Sequence, residues 1–346
     1  MTDEDEAPRP RHDAGGRRPT INDVARIAGV SKKTVSRVIN RSPFVKTETR
    51  DKISRIILDI GFVPDPQARG LAFRRSFAIG LISDDPNPHS VVATQLGLLD
   101  VIRGAGYELV VHPCNRNDPD FIAGMRRFIE RQKLFGVVLT PPLSEDSRLR
   151  AALKEAGCAG VCVTSGPADT DGVIARNDCA GGRLAAQHLA DLGHSRIALV
   201  SGPECLSMQE RRRGFQQVLD GHGLPLRSEY VMEDADTVEG GASCGATLLA
   251  RSPRPTAIFA ASGAMAAGVV QAARRAGLAI PQDLSVIGFD DCEIASAIWP
   301  RLTAIRSPTR EIARRAAQRL IGADGPADDI LPTFVAGEST GRAPKG

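Results

Sequence analysis

The sequence predicts two structural classes in one chain: a small all-α headpiece near the N-terminus, then an α/β core of two doubly wound lobes. Three observations carry this. Between residues 20 and 60, apolar residues recur every three to four positions, the period of one buried helical face. From residue 77 onward, short continuous apolar runs bounded by Gly or Pro alternate with helical segments, as strands buried on both faces of a parallel sheet do. That alternation restarts near residue 180, and two consecutive βα sets imply two lobes.

Residues 1–18 lack apolar periodicity and read as a disordered tail. The tail is acidic at Asp3, Glu4, Asp5 and Glu6, then rich in Pro and Arg, with no apolar core for export. A cytoplasmic protein is therefore expected. Thr20 can cap the first helix, with Asp23 reaching back in a capping-box arrangement. Ile21, Val24, Ala25 and Ala28 line its buried face. Gly29-Val30-Ser31 forms a tight turn, and Ser31 can cap the second helix. Val35, Val38 and Ile39 point inward there, leaving Lys33, Ser36, Arg37 and Asn40 opposite and Lys32 in the first turn. Thr47 can cap a third helix whose Ile53, Ile56 and Ile57 complete a small core. Two helices joined by a short glycine turn, the second polar outside, form a helix-turn-helix.

Pro64 and Pro66 end the helical pattern, since proline lacks an amide donor and restricts its predecessor. A short helix over 67–73 can follow. Beyond it the strand-like runs are F-A-I-G-L-I-S, Y-E-L-V-V-H-P, G-V-V-L-T-P-P, V-C-V-T and V-I-A-R-N-D. The second set comprises R-I-A-L-V-S-G, E-Y-V-M-E-D, A-I-F-A-A-S and L-S-V-I-G-F-D-D. Helices are expected near 91–105, 119–133, 147–156, 180–192, 207–222, 237–250 and 264–276.

Charge is concentrated. Residues 17–55 hold 11 Lys/Arg against 3 Asp/Glu, in a chain whose net charge is only +3. Confined basicity of this kind is the footprint of phosphate contacts. The alternative, a small three-helix protein-interaction bundle, leaves it without a purpose. Composition, at 42% apolar and 25% charged, suits a globular chain with ample core, and no apolar run reaches membrane-spanning length. Seven scattered cysteines include no C-x-x-C pair, so neither a disulfide framework nor a zinc site is suggested. No G-x-S-x-G elbow, P-loop or H-E-x-x-H helix is expected. The glycines near 240 do not follow a strand as dinucleotide binding requires, so no cofactor, metal or catalytic residue is expected.

The run P-T-I-N-D-V-A-R-I-A-G-V-S-K-K-T-V-S-R-V-I-N resembles the headpiece of the lactose-repressor/purine-repressor (LacI) family of bacterial transcription regulators. The run P-D-P-Q-A-R-G-L at 64–71 resembles that family's hinge helix. The resemblance implies a homodimeric, sequence-specific DNA-binding regulator, a repressor of catabolic genes, on a palindromic operator. It implies domains at 1–18 (tail), 19–63 (headpiece), 64–75 (hinge helix and linker) and 76–346 (effector-binding and dimerisation core). The core would have a periplasmic-binding-protein-like fold, with one lobe at about 76–175 and 306–335 and the other at about 176–305 and 336–346. A small sugar-like effector would bind between the lobes and set operator affinity. The rival readings, a solute-binding protein or an enzyme on this scaffold, lack an export signal and a catalytic motif respectively.

For DNA, Lys32, Lys33 and Arg37 would reach base edges, where Arg and Lys donate best to guanine. A solvated charged face is the other reading of the two lysines. Thr20, Ser31, Thr34, Ser36 and Asn40 would position the headpiece on phosphates. Arg69 would add charge in the hinge, and Leu71 stands where the family wedges a leucine into the minor groove. For the effector, Arg211 and Asp290 match the family's effector-binding arginine and aspartate. Across a cleft such a pair can bracket a polyol or a carboxylate, or else simply join the lobes as a salt bridge. Asp84 and His89 lie in a loop facing the cleft, His89 where an aromatic is common. Ser262-Gly263 stands where the family usually has Asn-Asp, so Ser262 could donate one hydrogen bond and the pocket chemistry differs.

Overall fold

The structure, a computed structural model, describes residues 19–39, 44–62, 77–84, 88–166, 172–290, 297–323 and 329–344. The chain divides into two compact units, Met1–Ser76 and Phe77–Gly346.

The first unit contains α1 (Ile21–Ala28), α2 (Lys32–Ile39) and α3 (Thr47–Asp59). Its core is the expected set: Val24, Ala25, Ala28, Val35, Val38 and Ile53 are buried, with Ile21, Ile39, Ile56 and Ile57 packed against them. The Asp23 carboxylate accepts from both the Thr20 amide, at 2.9 Å, and the Thr20 hydroxyl, at 2.7 Å. That arrangement serves amides that helix geometry leaves without partners. Gly29, at φ 68°, turns the chain out of α1. Ser31 caps α2 by accepting from the Thr34 amide at 3.2 Å. Thr47 does not cap α3; it is the first helical residue, and Lys46 occupies the cap position without a side-chain cap hydrogen bond.

The second unit contains two parallel-sheet lobes. The first sheet has β1 (Ala78–Ser83), β2 (Glu108–Pro113), β3 (Gly136–Leu139), β4 (Ala159–Thr164) and β5 (Val173–Ala175), in the order β2-β1-β3-β4-β5. Helices α4 (Pro88–Ile102), α5 (Phe121–Gln132) and α6 (Ser147–Glu155) belong to this lobe, as does a 3-10 turn, Leu143–Glu145. The second sheet has β6 (Ile197–Ser201), β7 (Val231–Glu233), β8 (Ala257–Ala260), β9 (Ser285–Phe289), β10 (Thr303–Arg306) and β11 (Thr333–Val335). Their order is β11-β10-β9-β8-β6-β7, all parallel except β11. Its helices are α7 (Asp178–Asp191), α8 (Leu206–Gly221), α9 (Val238–Leu249) and α10 (Gly263–Arg275). Each sheet carries an apolar cluster on either face, so its strands read as continuous apolar runs.

Helix α11 (Thr309–Ile321) returns to the first lobe, where Ile312, Ala313, Ala316, Ala317 and Leu320 pack with Ile79, Leu81 and Val138. The chain therefore passes between lobes three times, at 176–177, 307–308 and 331–332. The last crossing falls earlier than expected. The sequence reading kept residues through 335 in the first lobe, but Thr333, Phe334 and Val335 pair antiparallel with β10 in the second sheet. After β11, residues 337–343 lie along the second lobe. The hydroxyl of Ser339 donates to the Val286 carbonyl at 2.5 Å, and His194 contacts the Gly341 carbonyl at 3.0 Å.

Candidate functional site

In the headpiece, α2 presents Lys32, Lys33 and Arg37 to solvent, while Thr34 and Ser36 are half-buried beside them. Lys33 and Arg37 are four residues apart and so share one helical face. The hydroxyls of Ser31 and Thr34 lie 3.0 Å apart, so both act first in closing the start of α2. The Thr20 amide and hydroxyl both donate to Asp23, which fixes the start of α1. Asn40, Arg69 and Leu71 lie outside the described residues.

In the core, the effector candidates divide between lobes. Asp84, at the end of β1, accepts from the Arg116 amide at 3.1 Å and lies 4.0 Å from its Nε. His89 is half-buried in the first turn of α4. Arg211, Asp290 and Ser262 belong to the second lobe. Arg211 and Asp290 do not face one another across a cleft, as the sequence reading had them, because both hang from the same sheet. Asp290 follows β9 directly, and α8 carries Arg211 over the end of that strand.

Arg211 is 4% exposed. Its Nε donates to Asp178 Oδ1 at 3.1 Å and its Nη1 to the Ala261 carbonyl at 2.6 Å, while Nη2 lies 3.7 Å from Asp290 Oδ2. The guanidinium carbon sits 3.7 Å above the centre of the Phe289 ring, a cation–π contact. Burial works to lower the arginine's pKa, but Asp178 and Asp290 outweigh it and hold it above the ordinary value. Asp178 is the mirror case: burial works to raise its pKa, and Arg211 and Arg176 outweigh that and hold it low. Asp290 adopts φ 65°, a left-handed conformation unusual for a non-glycine residue and one that clusters at ligand sites.

Two glycines bring this about. A Cβ on Gly182 of α7 would collide with the Arg211 carbonyl, and one on Gly214 of α8 would collide with the Cys179 carbonyl. The two helices thus touch backbone to backbone, which places Asp178 beside Arg211.

Sequence reasoning missed Asp178, Ser165 and Ser207. Ser165, just beyond β4 in the first lobe, donates to Asp178 and lies 2.6 Å from the Ser207 hydroxyl of α8. This buried chain of polar groups, and not the Arg211–Asp290 pair, crosses between the lobes. An acidic residue opening a helix directly after a buried strand was the available signal. Ser262 caps α10 by accepting from the Met265 amide at 3.2 Å, and its hydroxyl donates to Asp236. Its proton is thereby engaged inside the lobe. A cavity of about 20 Å³ within the first lobe, between α4, α11 and the sheet, is lined by Ser90, Thr94, Thr140, Val163, Arg176 and Ile312. That is room for about one water, well short of the few hundred Å³ of a small-molecule pocket.

A G-x-S-x-G string does occur at 241–245, but it lies inside α9, not on the strand-to-helix turn a nucleophile needs. Burial, with help from Asp84 and Asp234 respectively, pushes the Cys114 and Cys244 thiols up to about 11, far from reactive. Among the described residues no cluster of three metal-ligating side chains occurs, and no helix is long and apolar enough to cross a membrane.

A basic helix-turn-helix ahead of two lobes that meet at a charged cleft defines a ligand-responsive DNA-binding regulator. Residues 20–65 match the family of bacterial regulatory proteins, lacI family, and residues 186–340 match the periplasmic binding protein-like domain. The ribose operon repressor of Haemophilus influenzae is 32% identical over 308 residues, covering 87% of this chain and 91% of that protein. The transcriptional regulator CelR of Thermobifida fusca is 32% identical over 322 residues, covering 88% of this chain and 93% of that one. The crystal structure of the lac repressor dimer bound to operator and an anti-inducer superposes with TM-score 0.74 at 26% identity, over 94% of this chain and all of that one. The chain belongs to the lacI family of bacterial transcription regulators.

Proposed function

We propose that this regulator is a homodimeric repressor of a catabolic operon, released from a palindromic operator by a sugar-like effector bound between the lobes. The observation that carries the reading is the α2 surface, where Lys32, Lys33 and Arg37 stand exposed on a helix whose other side is buried. Arg37 and the two lysines donate to base edges or phosphates, and Ser31, Thr34 and Ser36 hold the start of the helix in register. Two half-sites need two headpieces, hence the dimer.

Arg211 and Asp290 form the polar floor of the effector site, with Asp84 and His89 on the opposing lobe. A charge-compensated floor suits hydroxyl groups, which both donate and accept, better than it suits a free anion. Relatives named for ribose operons and a CelR structure with cellobiose support a sugar. Effector and operator affinities change by the same coupling free energy. The protein performs no catalysis in this reading.

Fluorescence anisotropy on the DNA upstream of its own gene tests the proposal, over a salt series and with a panel of sugars and small acids. Specific binding that weakens steeply with salt and shifts with one sugar is the expected result. Sequence-blind binding on that DNA and on sequences selected from random DNA overturns the operator reading. A response confined to acids overturns the sugar.

A further inference from the structure

Where the strands of the second sheet end, a further acid stands beside Arg211 and Asp290. Asp236 follows β7 and directly precedes Thr237, whose hydroxyl caps α9 by accepting from the Gly240 amide at 3.1 Å. The Asp236 side chain lies over the end of β6, so that a Cβ on Gly202 would stand 3.2 Å from the Asp236 Cβ. Its Oδ1 accepts from the hydroxyl of Ser262, a residue only 6% exposed at the start of α10. One residue earlier, the Ala261 carbonyl accepts from Arg211 at 2.6 Å. Asp236, Ser262, Arg211 and Asp290 therefore gather at the carboxyl ends of the strands, the edge at which open parallel sheets bind ligands.

The charges there do not cancel. Asp178 and Asp290 lie 3.1 and 3.7 Å from Arg211, and Arg176 brings a second guanidinium 3.7 Å from Asp178. Two cations thus answer two carboxylates, and Asp236 is the third. Among the described residues its hydrogen-bond partner is a neutral hydroxyl, and it acts on Arg211 only through space. On the facing lobe Asp84 is paired with Arg116 and leaves no cation over. Asp236 is half-buried, and a carboxylate accepts on two oxygens, of which Ser262 takes one. A ligand group that meets it has to donate, and one that carries positive charge also restores the balance.

We propose that Asp236 is the residue of the effector site that recognises a protonated amine, so that the effector is an amino sugar. This rests on the reading of the cleft as the effector site. Arg211 and Asp290 hold ring hydroxyls, and the ammonium group donates to Asp236. Ser262 holds that carboxylate in place, because its own oxygen accepts from the Met265 amide at 3.2 Å. A uronic acid meets the surplus negative charge and is repelled, and a neutral sugar leaves that charge unanswered.

Calorimetric titration of the full chain tests this with glucosamine, galactosamine and mannosamine. Each is compared with its parent hexose and its N-acetyl derivative, which keeps the ring and loses the charge. One amino sugar should bind about tenfold more tightly than its parent, the worth of a charge-assisted hydrogen bond, and N-acetylation should remove the advantage. Asp236→Asn keeps an acceptor for Ser262 and loses only the charge. Its melting temperature should stay the same, while amine and parent sugar should bind within about threefold of each other. Raising the pH until the amine loses its proton should erase the preference in the unsubstituted chain. A parent hexose that binds as tightly as its amine overturns the proposal while leaving the effector site in place. An amine preference that survives in Asp236→Asn overturns it too. If no sugar of any kind binds, the effector reading itself fails and the proposal falls with it.

Discussion

Asp178 and Arg211, 33 residues apart in sequence, meet inside the second lobe at 3.1 Å with both side chains almost fully buried. A buried pair gives modest net stability, because desolvation offsets attraction, but breaking one is costly since the remaining charge is stranded. Asp178→Ala leaves Arg211 facing Asp290 at 3.7 Å and loses the Ser165 contact. A loss of about 3–5 kcal/mol is expected in urea denaturation of the core. A loss below about 1 kcal/mol would show that the pair is not structural.

Gly182→Ala probes the same junction from its backbone. The added methyl meets the Arg211 carbonyl, and a backbone cannot step aside as a flexible side chain can. Separating α7 from α8 should cost about 1–3 kcal/mol or more and weaken any effector response, read by thermal melts and operator binding. An ordinary melt with an ordinary response would mean the helices slide freely.

His194 supplies the pH prediction. It is 1% exposed, contacts Thr256, Ser285 and the Gly341 carbonyl, and burial holds its pKa below the usual value. The carbonyl works to raise that pKa, nearby His188 to lower it further. A histidine depressed in the folded state favours folding above the unfolded value of about 6.5 and erodes it as pH falls from there. Melting temperature should therefore decline below about pH 6.5, ahead of any carboxylate titration, and His194→Gln should flatten that decline. An unchanged slope in the variant would assign the decline elsewhere.

Thr20 and Arg37 separate the two jobs of the headpiece. Arg37→Ala should weaken operator binding by about 1–3 kcal/mol and reduce its salt dependence. Thr20→Ala should instead lower headpiece stability by about 0.5–2 kcal/mol with the salt slope unchanged. Equal effects on the salt slope would return Thr20 to the DNA surface.

The helices were legible because period and punctuation agree locally: Gly29 and Ser31 bound the headpiece turn, and the expected helix near 207–222 is Leu206–Gly221. The strands were legible because a sheet covered on both faces leaves unbroken apolar runs. Less was visible where the partner is distant in sequence. Asp178 reads as an ordinary first-turn acid until α8 is laid against α7. Arg211 and Asp290 were matched to a site and fall in the one lobe, about 176–305, expected to hold both, yet their meeting with Asp178 follows from helix packing, which no local pattern encodes. Thr47 misled because a threonine before a helical run looks the same at the cap and one residue inside. The strand β11 misled because three residues are too few to show a period.

The three passages between lobes have a mechanical consequence. A single tether would let one lobe swivel freely on the other, whereas three covalent connections forbid twisting and leave bending as the easy motion. Closure in this protein is then close to a one-coordinate process. A small shift where α8 meets the first lobe becomes a proportionate rotation of everything the second sheet carries, with little slack in which the signal could dissipate.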